Sequence, residues 1–191
     1  FIFQNGGDYY SDDGFSSNVG DPDTLQGLRQ MIDLYQIFVL AQKIPNFFNA
    51  FRSGSVPIGV SGFSTYLQLQ VGAPELNGRW EIALVPGTKQ ADGTICHYWS
   101  ADATSSMIFA NTRKKDEAYR FLKWWLSSDT QLKYATELQM KYGSDYIWNT
   151  GNHVALAGMS YPLAHKKIIL EQWSWQKEAL RHPASYILER E

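Results

Sequence analysis

Aromatic rings beside small hydroxyl and amide side chains recur at the ends of short apolar runs in this 191-residue sequence. Three groups stand out: Phe63, Ser64 and Tyr66; Tyr98, Trp99 and Ser100; Tyr146, Trp148 and Asn152. Trp173 is a weaker fourth. A flat aromatic face stacks on the apolar face of a pyranose, and hydroxyls and amides satisfy the sugar's polar rim. That is the chemistry of binding. Taken singly, Trp and Tyr also fill cores and interfaces. Trp80, Trp124 and Trp125 are assigned to packing.

The patterns that would carry catalysis are weak by comparison. Glycoside hydrolysis needs two carboxylates flanking the bond. Asp92, Asp102, Glu75 and Glu81 lie in turns or beside strands, with no apolar setting to raise a carboxyl pKa. No G-x-S-x-G elbow occurs, and Gly59-Val60-Ser61-Gly62 has the wrong spacing. Gly6-Gly7 is too short for a dinucleotide or phosphate loop. His97, His153, His165 and His182 are scattered, and Cys96 and His97 are adjacent on an expected strand, facing opposite sides. No catalytic residue, cofactor or metal site is therefore expected. Asp8, Asp12 and Asp13 could hold calcium weakly, but they lack the Gly and Glu of an EF-hand loop.

Composition bounds the class. The chain is 44% hydrophobic and 19% charged, as for a globular protein with a sizeable core in one domain or two small ones. A formal charge of −2 offers no electrostatic footprint for nucleic acid. The basic run Arg113-Lys114-Lys115 reads as a solvated first helical turn. One cysteine, Cys96, rules out an internal disulfide and reads as a small buried hydrophobe. No apolar run reaches the roughly 18 residues of a membrane span. No leader segment is in view. The chain starts abruptly at Phe1-Ile2-Phe3 and ends in a charged helical pattern, as expected of a piece of something longer.

The elements that must position the aromatics follow from period and punctuation. Phe1-Ile2-Phe3 is expected as a short strand before the Asn5-Gly6-Gly7 turn. Asp21-Pro22 opens a helix whose buried face would be Leu25, Leu28, Ile32, Tyr35 and Val39. Pro45-Asn46 starts a second helix, ending at Gly54 as a left-handed cap. Val56 to Val60 reads as a buried strand, followed by an aromatic loop, a helix over 65–71 and a strand from Trp80 to Val85. Thr94 to Trp99 and Thr104 to Phe109 read as two more strands. From Thr112 the period becomes helical, with Ala118, Phe121, Leu122 and Trp125 on one face. Ser127 or Ser128 caps the next helix, with apolar Leu132, Ala135, Leu138 and Met140, and Gly143 closes it. Gly151-Asn152 leads into a short helical stretch that Tyr161-Pro162 breaks. Leu163 to Leu180 is helical, with Ile168, Ile169, Trp173 and Leu180 apolar. His182-Pro183 interrupts, and a last helix begins at Ala184.

The order "F-x-x-G, apolar strand, Gly, aromatic loop, W-x-I-x-x-x-PGT" over Asn49 to Thr88 resembles family 1 extracellular solute-binding proteins, the maltose-binding-protein-like receptors of bacterial ABC importers. The block from Ile108-Phe109-Ala110-Asn111 through FLKWW to Ser128 is the most specific part of that likeness. The resemblance implies an α/β, periplasmic-binding-protein-like type II fold of two lobes, of which this chain would be the C-terminal half. Residues 1–85 would be a lobe-two portion, 86–142 a lobe-one portion and 143–191 a helical return to lobe two. It further implies capture of a solute, an oligosaccharide by the aromatics, in a cleft that closes at the two crossovers, and its delivery to membrane permease subunits. Phe63, Ser64, Tyr66, Tyr98, Trp99, Ser100, Trp148 and Asn152 match positions that would line such a cleft. The implied place is extracellular, as a lipoprotein or in the periplasm. A carbohydrate-active enzyme or accessory sugar-binding module is the alternative, and a docking domain that binds no small molecule is a third.

Overall fold

The computed structural model describes residues 1–37, 46–100 and 104–178. They divide into two packed units. The first gathers residues 1–37, 84–100 and 171–178; the second gathers 46–83 and 104–170.

The first unit is built on a 3-10 helix, Phe3–Asn5, and on α1, Pro22–Gln36. Asp21 takes the extended N-cap conformation and Pro22 the first helical position, although the Asp21 side chain makes no capping bond. Thr24 and Gly27 are the residues α1 buries. Thr24 donates its hydroxyl to the Asp8 carbonyl at 3.0 Å. At Gly27 the helix meets the chain start so closely that a Cβ would lie 2.6 Å from Ile2 Cα. Gly27→Ala is therefore a signed test. Helix propensity alone would stabilise it by about 1 kcal/mol. Contact with rigid backbone should reverse that into a net loss of about 1–3 kcal/mol. A urea midpoint that rises on substitution would mean α1 does not dock through this face.

Among the described residues this unit also holds a hairpin and a short parallel pair. β1, Thr88–Lys89, runs antiparallel to β2, Ile95–Cys96, around the Ala91-Asp92-Gly93 turn. β3, Trp99–Ser100, pairs in parallel with β4, Gln176–Lys177. Lys177 reaches Asp8 at 3.1 Å and stands over the Phe3 ring.

The second unit is helical. α2, Phe47–Arg52, is capped by the Asn46 side chain, which accepts from the Asn49 N–H at 2.9 Å. Gly54 follows with φ 78°, which a side chain would resist. α3, Phe63–Gly72, buries Tyr66 and Leu69. A 3-10 turn, Pro74–Leu76, carries Glu75 to an exposed ion pair with Arg52. α4, Lys115–Trp125, leads through Ser127, the N-cap, into α5, Ser128–Tyr142. α6, His153–Gly158, packs on α5. Ala135, Ala155, Leu156 and Met159 are buried in this part of the unit. α7, Leu163–Ser174, contributes its first eight residues to this unit and its last four to the first unit.

Several sequence expectations need correction. Phe1-Ile2-Phe3 is not a strand; the chain coils into a 3-10 turn there, with Asn5 N–H bonding Phe1 and Ile2 carbonyls. Val56–Val60, Trp80–Val85 and Thr104–Phe109 carry no ladder pairing among the described residues. A strand exists only with a hydrogen-bonded neighbour, which an apolar run cannot announce by itself. On α1, Leu25, Ile32 and Tyr35 are exposed, because the helix docks by its small residues instead. Val39 lies outside the described residues. Phe121 and Met140 are also exposed, Met140 at 82%. α7 stops at Ser174, and Gln176–Lys177 form a strand; Leu180, His182-Pro183 and the helix from Ala184 lie outside the described residues. The bounds of α5 and the start of α6 stand as read, with Ser127 and Gly143 at the ends of α5 and Asn152 capping α6.

Candidate functional site

In the first unit the candidates lie on the extended run from β2 into β3, whose flanks are held by side chains. Gln4 is buried and donates its amide to the Pro86 carbonyl at 3.0 Å and to the Tyr98 carbonyl at 3.1 Å. Its own oxygen accepts from the Thr88 hydroxyl at 3.0 Å. Gln172 accepts from the Val85 N–H at 2.8 Å and donates to the His97 carbonyl at 3.1 Å. His97 Nδ1 donates to the Val85 carbonyl at 2.6 Å, which fixes its tautomer. Beyond these ties the Trp99 N–H donates to the Trp175 carbonyl. The Tyr98 ring meets Trp175 edge to face at 5.4 Å. Trp99 is left 44% exposed at the start of β3, and Ser100 is exposed beside it.

In the second unit Phe63 and Ser64 are not in a loop. They form the first turn of α3, with Tyr66 in the same turn. Phe63 and Tyr66 stack at 5.6 Å with an interplanar angle of 11°. Tyr66 itself is buried, with Trp80 at 5.5 Å and His165 at 5.6 Å, both edge to face. Its hydroxyl lies 3.1 Å from His165 Nδ1, and His165 Nε2 lies 3.0 Å from a Glu81 carboxylate oxygen. With the imidazole neutral, Glu81 accepts from Nε2–H, so Nδ1 accepts from the Tyr66 hydroxyl. The relay runs from a carboxylate 83% exposed to a hydroxyl in the core.

Burial pushes the Tyr66 hydroxyl up to about 12, with a Gln70 hydrogen bond pulling the other way. Burial, with the neighbouring Tyr66 adding to it, also pushes Tyr161 up to about 12. The Tyr161 hydroxyl is buried with no hydrogen-bond partner among the described residues. Both groups hold their protons more tightly folded than unfolded, so their contribution is complete below pH 10 and is lost as pH rises towards 12. Alkaline titration by circular dichroism should show loss of helix in that window. Replacing Tyr66 and Tyr161 together with Phe should move the transition to higher pH. A transition unmoved by that pair would assign it to other groups.

Trp148 and Asn152 are tied to α5. The Trp148 indole N–H donates to Gln131 at 2.6 Å, and its ring meets Tyr134 at 4.9 Å and Trp125 at 6.1 Å, near perpendicular to both. Asn152 caps α6 by accepting from the Ala155 N–H at 2.9 Å. It also accepts from the Ser128 hydroxyl and donates to the Leu126 carbonyl. The structure thus gathers Phe63, Ser64 and Tyr66 on one helix turn, and Trp99 and Ser100 on β3 with Tyr98 just before it. Trp148 and Asn152 are joined to the start of α5.

Sequence reasoning missed the buried amides Gln4 and Gln131, the half-buried Gln172, and the relay partners His165 and Glu81. Only Pro86, a residue with no N–H inside an extended run, hinted that a side chain must help there. A shallow apolar depression of about 400 Å³ is lined by Phe48, Leu67, Gln68, Val71 and Gly72, none of them a candidate. Among the described residues, no cluster of His, Cys, Asp or Glu could hold a metal, and no helix is long and apolar enough to cross a membrane. Asp8 and Asp13 are instead engaged by Lys177 and by Ser11.

Mixed helix and short strand, with rings, hydroxyls and amides at element ends, is the kind of arrangement a small-molecule-binding protein uses. The chain belongs to the bacterial extracellular solute-binding protein family, whose model matches residues 1–132. No curated protein and no solved structure matches the chain. Membership makes it a solute-binding component of an ABC importer, with a periplasmic-binding-protein fold. Its partners are a small-molecule solute and membrane permease subunits, and it works outside the cytoplasm, in the periplasm or extracellularly.

Proposed function

We propose that the chain is the C-terminal half of a maltose-binding-protein-like receptor with a two-lobe, type II arrangement, and that its solute is an oligosaccharide. Lobe boundaries near residues 85 and 142 and a lipoprotein or periplasmic form belong to the same reading. Capture would close the lobes on an intact sugar, with no bond broken. The observation that supports it is Trp99, an indole kept exposed on a strand whose backbone is braced on both flanks. Direct contact is assigned to Phe63, Ser64, Tyr98, Trp99 and Ser100. Tyr66, Trp148 and Asn152 take supporting places, since their polar atoms hold neighbouring elements together.

The test is intrinsic tryptophan fluorescence titrated against a panel of oligosaccharides, with the sugar recovered and checked for cleavage. A saturable shift with intact sugar supports the reading. Cleaved sugar would move the assignment to a carbohydrate-active enzyme. A saturable shift with a peptide or polyamine and none with sugars would replace the solute class.

A further inference from the structure

The β1–β2 hairpin stops where its register says it should continue. Thr88 faces Cys96, and the Gln90 N–H bonds the Thr94 carbonyl, so the doubly bonded pairs fall at every second residue. Two residues further along, the next such pair is Pro86 with Tyr98. That pair needs two N–H donors, one from each residue, and Pro86 has none. The Tyr98 carbonyl would then lack its donor at the edge of the strand that carries Trp99.

Gln4 supplies the missing donor. Its amide nitrogen has two N–H bonds and faces two carbonyls, Tyr98 at 3.1 Å and Pro86 at 3.0 Å. The orientation of the amide is set by the third contact, in which the Thr88 hydroxyl donates to Gln4 Oε1. The Gln4 main chain is held as well, because Gln90 donates to its carbonyl at 2.9 Å. We propose that Gln4 is a positioning residue: its side-chain amide stands in for the backbone N–H that Pro86 lacks and so holds the strand that presents Trp99 to solute. The proposal rests on the reading of Trp99 as a solute contact, and the experiment separates the two.

The chain is compared as wild type, Gln4→Met, Pro86→Ala and the double variant. Hydrogen exchange is read at the Trp99 amide, which donates to Trp175, with the Ala135 amide of α5 as a control for global stability. Losing a part-buried hydrogen bond to the Tyr98 carbonyl should speed exchange at Trp99 by roughly two- to tenfold in Gln4→Met. Exchange at Ala135 should be unchanged. Pro86→Ala gives position 86 an N–H, so the double variant should return Trp99 to near the wild-type rate. A Gln4 that merely fills space predicts no such rescue. Equal rates at Trp99 in wild type and Gln4→Met, or equal loss in single and double variants, would overturn the proposal. If Gln4→Met does not fold, folding of the double variant supports it and failure of both overturns it.

Affinity for maltotriose, used as the probe, is measured alongside for these variants and for Trp99→Ala. Loss in both Gln4→Met and Trp99→Ala, with recovery in the double variant, supports positioning for binding. Unchanged binding in Trp99→Ala would remove the solute reading while the exchange data still decide the strand. Loss in Trp99→Ala with unchanged binding in Gln4→Met would remove the role of Gln4 in binding.

Discussion

Trp99→Ala is expected to abolish most of the affinity for an oligosaccharide while leaving the fold intact. A fully enclosed aromatic side chain covers about 150–250 Å². At 44% exposure Trp99 therefore has roughly 100 Å² left to give a ligand. At about 25 cal/mol per Å² that is about 2.5 kcal/mol, or roughly 70-fold in Kd. The fold should survive because Trp99 is tied through its main chain. The N–H donates to Trp175, and the β3–β4 pairing is made by backbone atoms that alanine retains. The check is a calorimetric titration of wild type and variant, with melting curves to show equal stability. Equal affinities at equal stability would take Trp99 out of the site. A lowered melting temperature with unchanged affinity would make it a packing residue.

Leu156→Ala should produce the largest loss of stability in the helical unit. Leu156 has no exposed surface, and Met159 and Ala155 beside it are as deeply enclosed. α6 is only six residues long, too short to persist without its packing on α5. Its other support is the Asn152 cap and Lys166, which donates to the Ala157 carbonyl at 2.9 Å. Truncating the side chain removes its transfer energy and leaves a cavity, together about 2–5 kcal/mol. Stability of a domain is itself only about 5–15 kcal/mol, so the urea midpoint should fall sharply. Leu163→Ala, at an exposed position of α7, is the matched control and should change little. Equal, small effects at both positions would mean that α6 does not rest on Leu156.

The sequence by itself determined the parts of this protein that depend on neighbours three or four residues away. Helix caps are such parts: Asn46, Ser127 and Asn152 each bond an N–H three residues on, and Gly54 and Gly143 follow helix ends with positive φ. Their chemistry is local, so it is legible in order along the chain. The aromatic candidates were legible as residue types for the same reason. What only the tertiary structure decided depends on residues far apart in sequence. Which apolar runs become strands is one such matter, since Val56–Val60 and Trp80–Val85 have no ladder partner among the described residues while Gln176–Lys177, with no apolar signal, paired with Trp99–Ser100. Which face of α1 is buried is another: the close approach of Ile2 at Gly27 outweighed the leucine and isoleucine stripe. The site follows the same rule. Tyr66 meets His165 across 99 positions, His165 meets Glu81 across 84, and Gln4 meets Tyr98 across 94. A hydrogen bond carries no periodicity when its partners are that far apart. Only the folded chain could turn Tyr66 inward, leave Trp99 exposed and set Gln4 where proline had removed a donor.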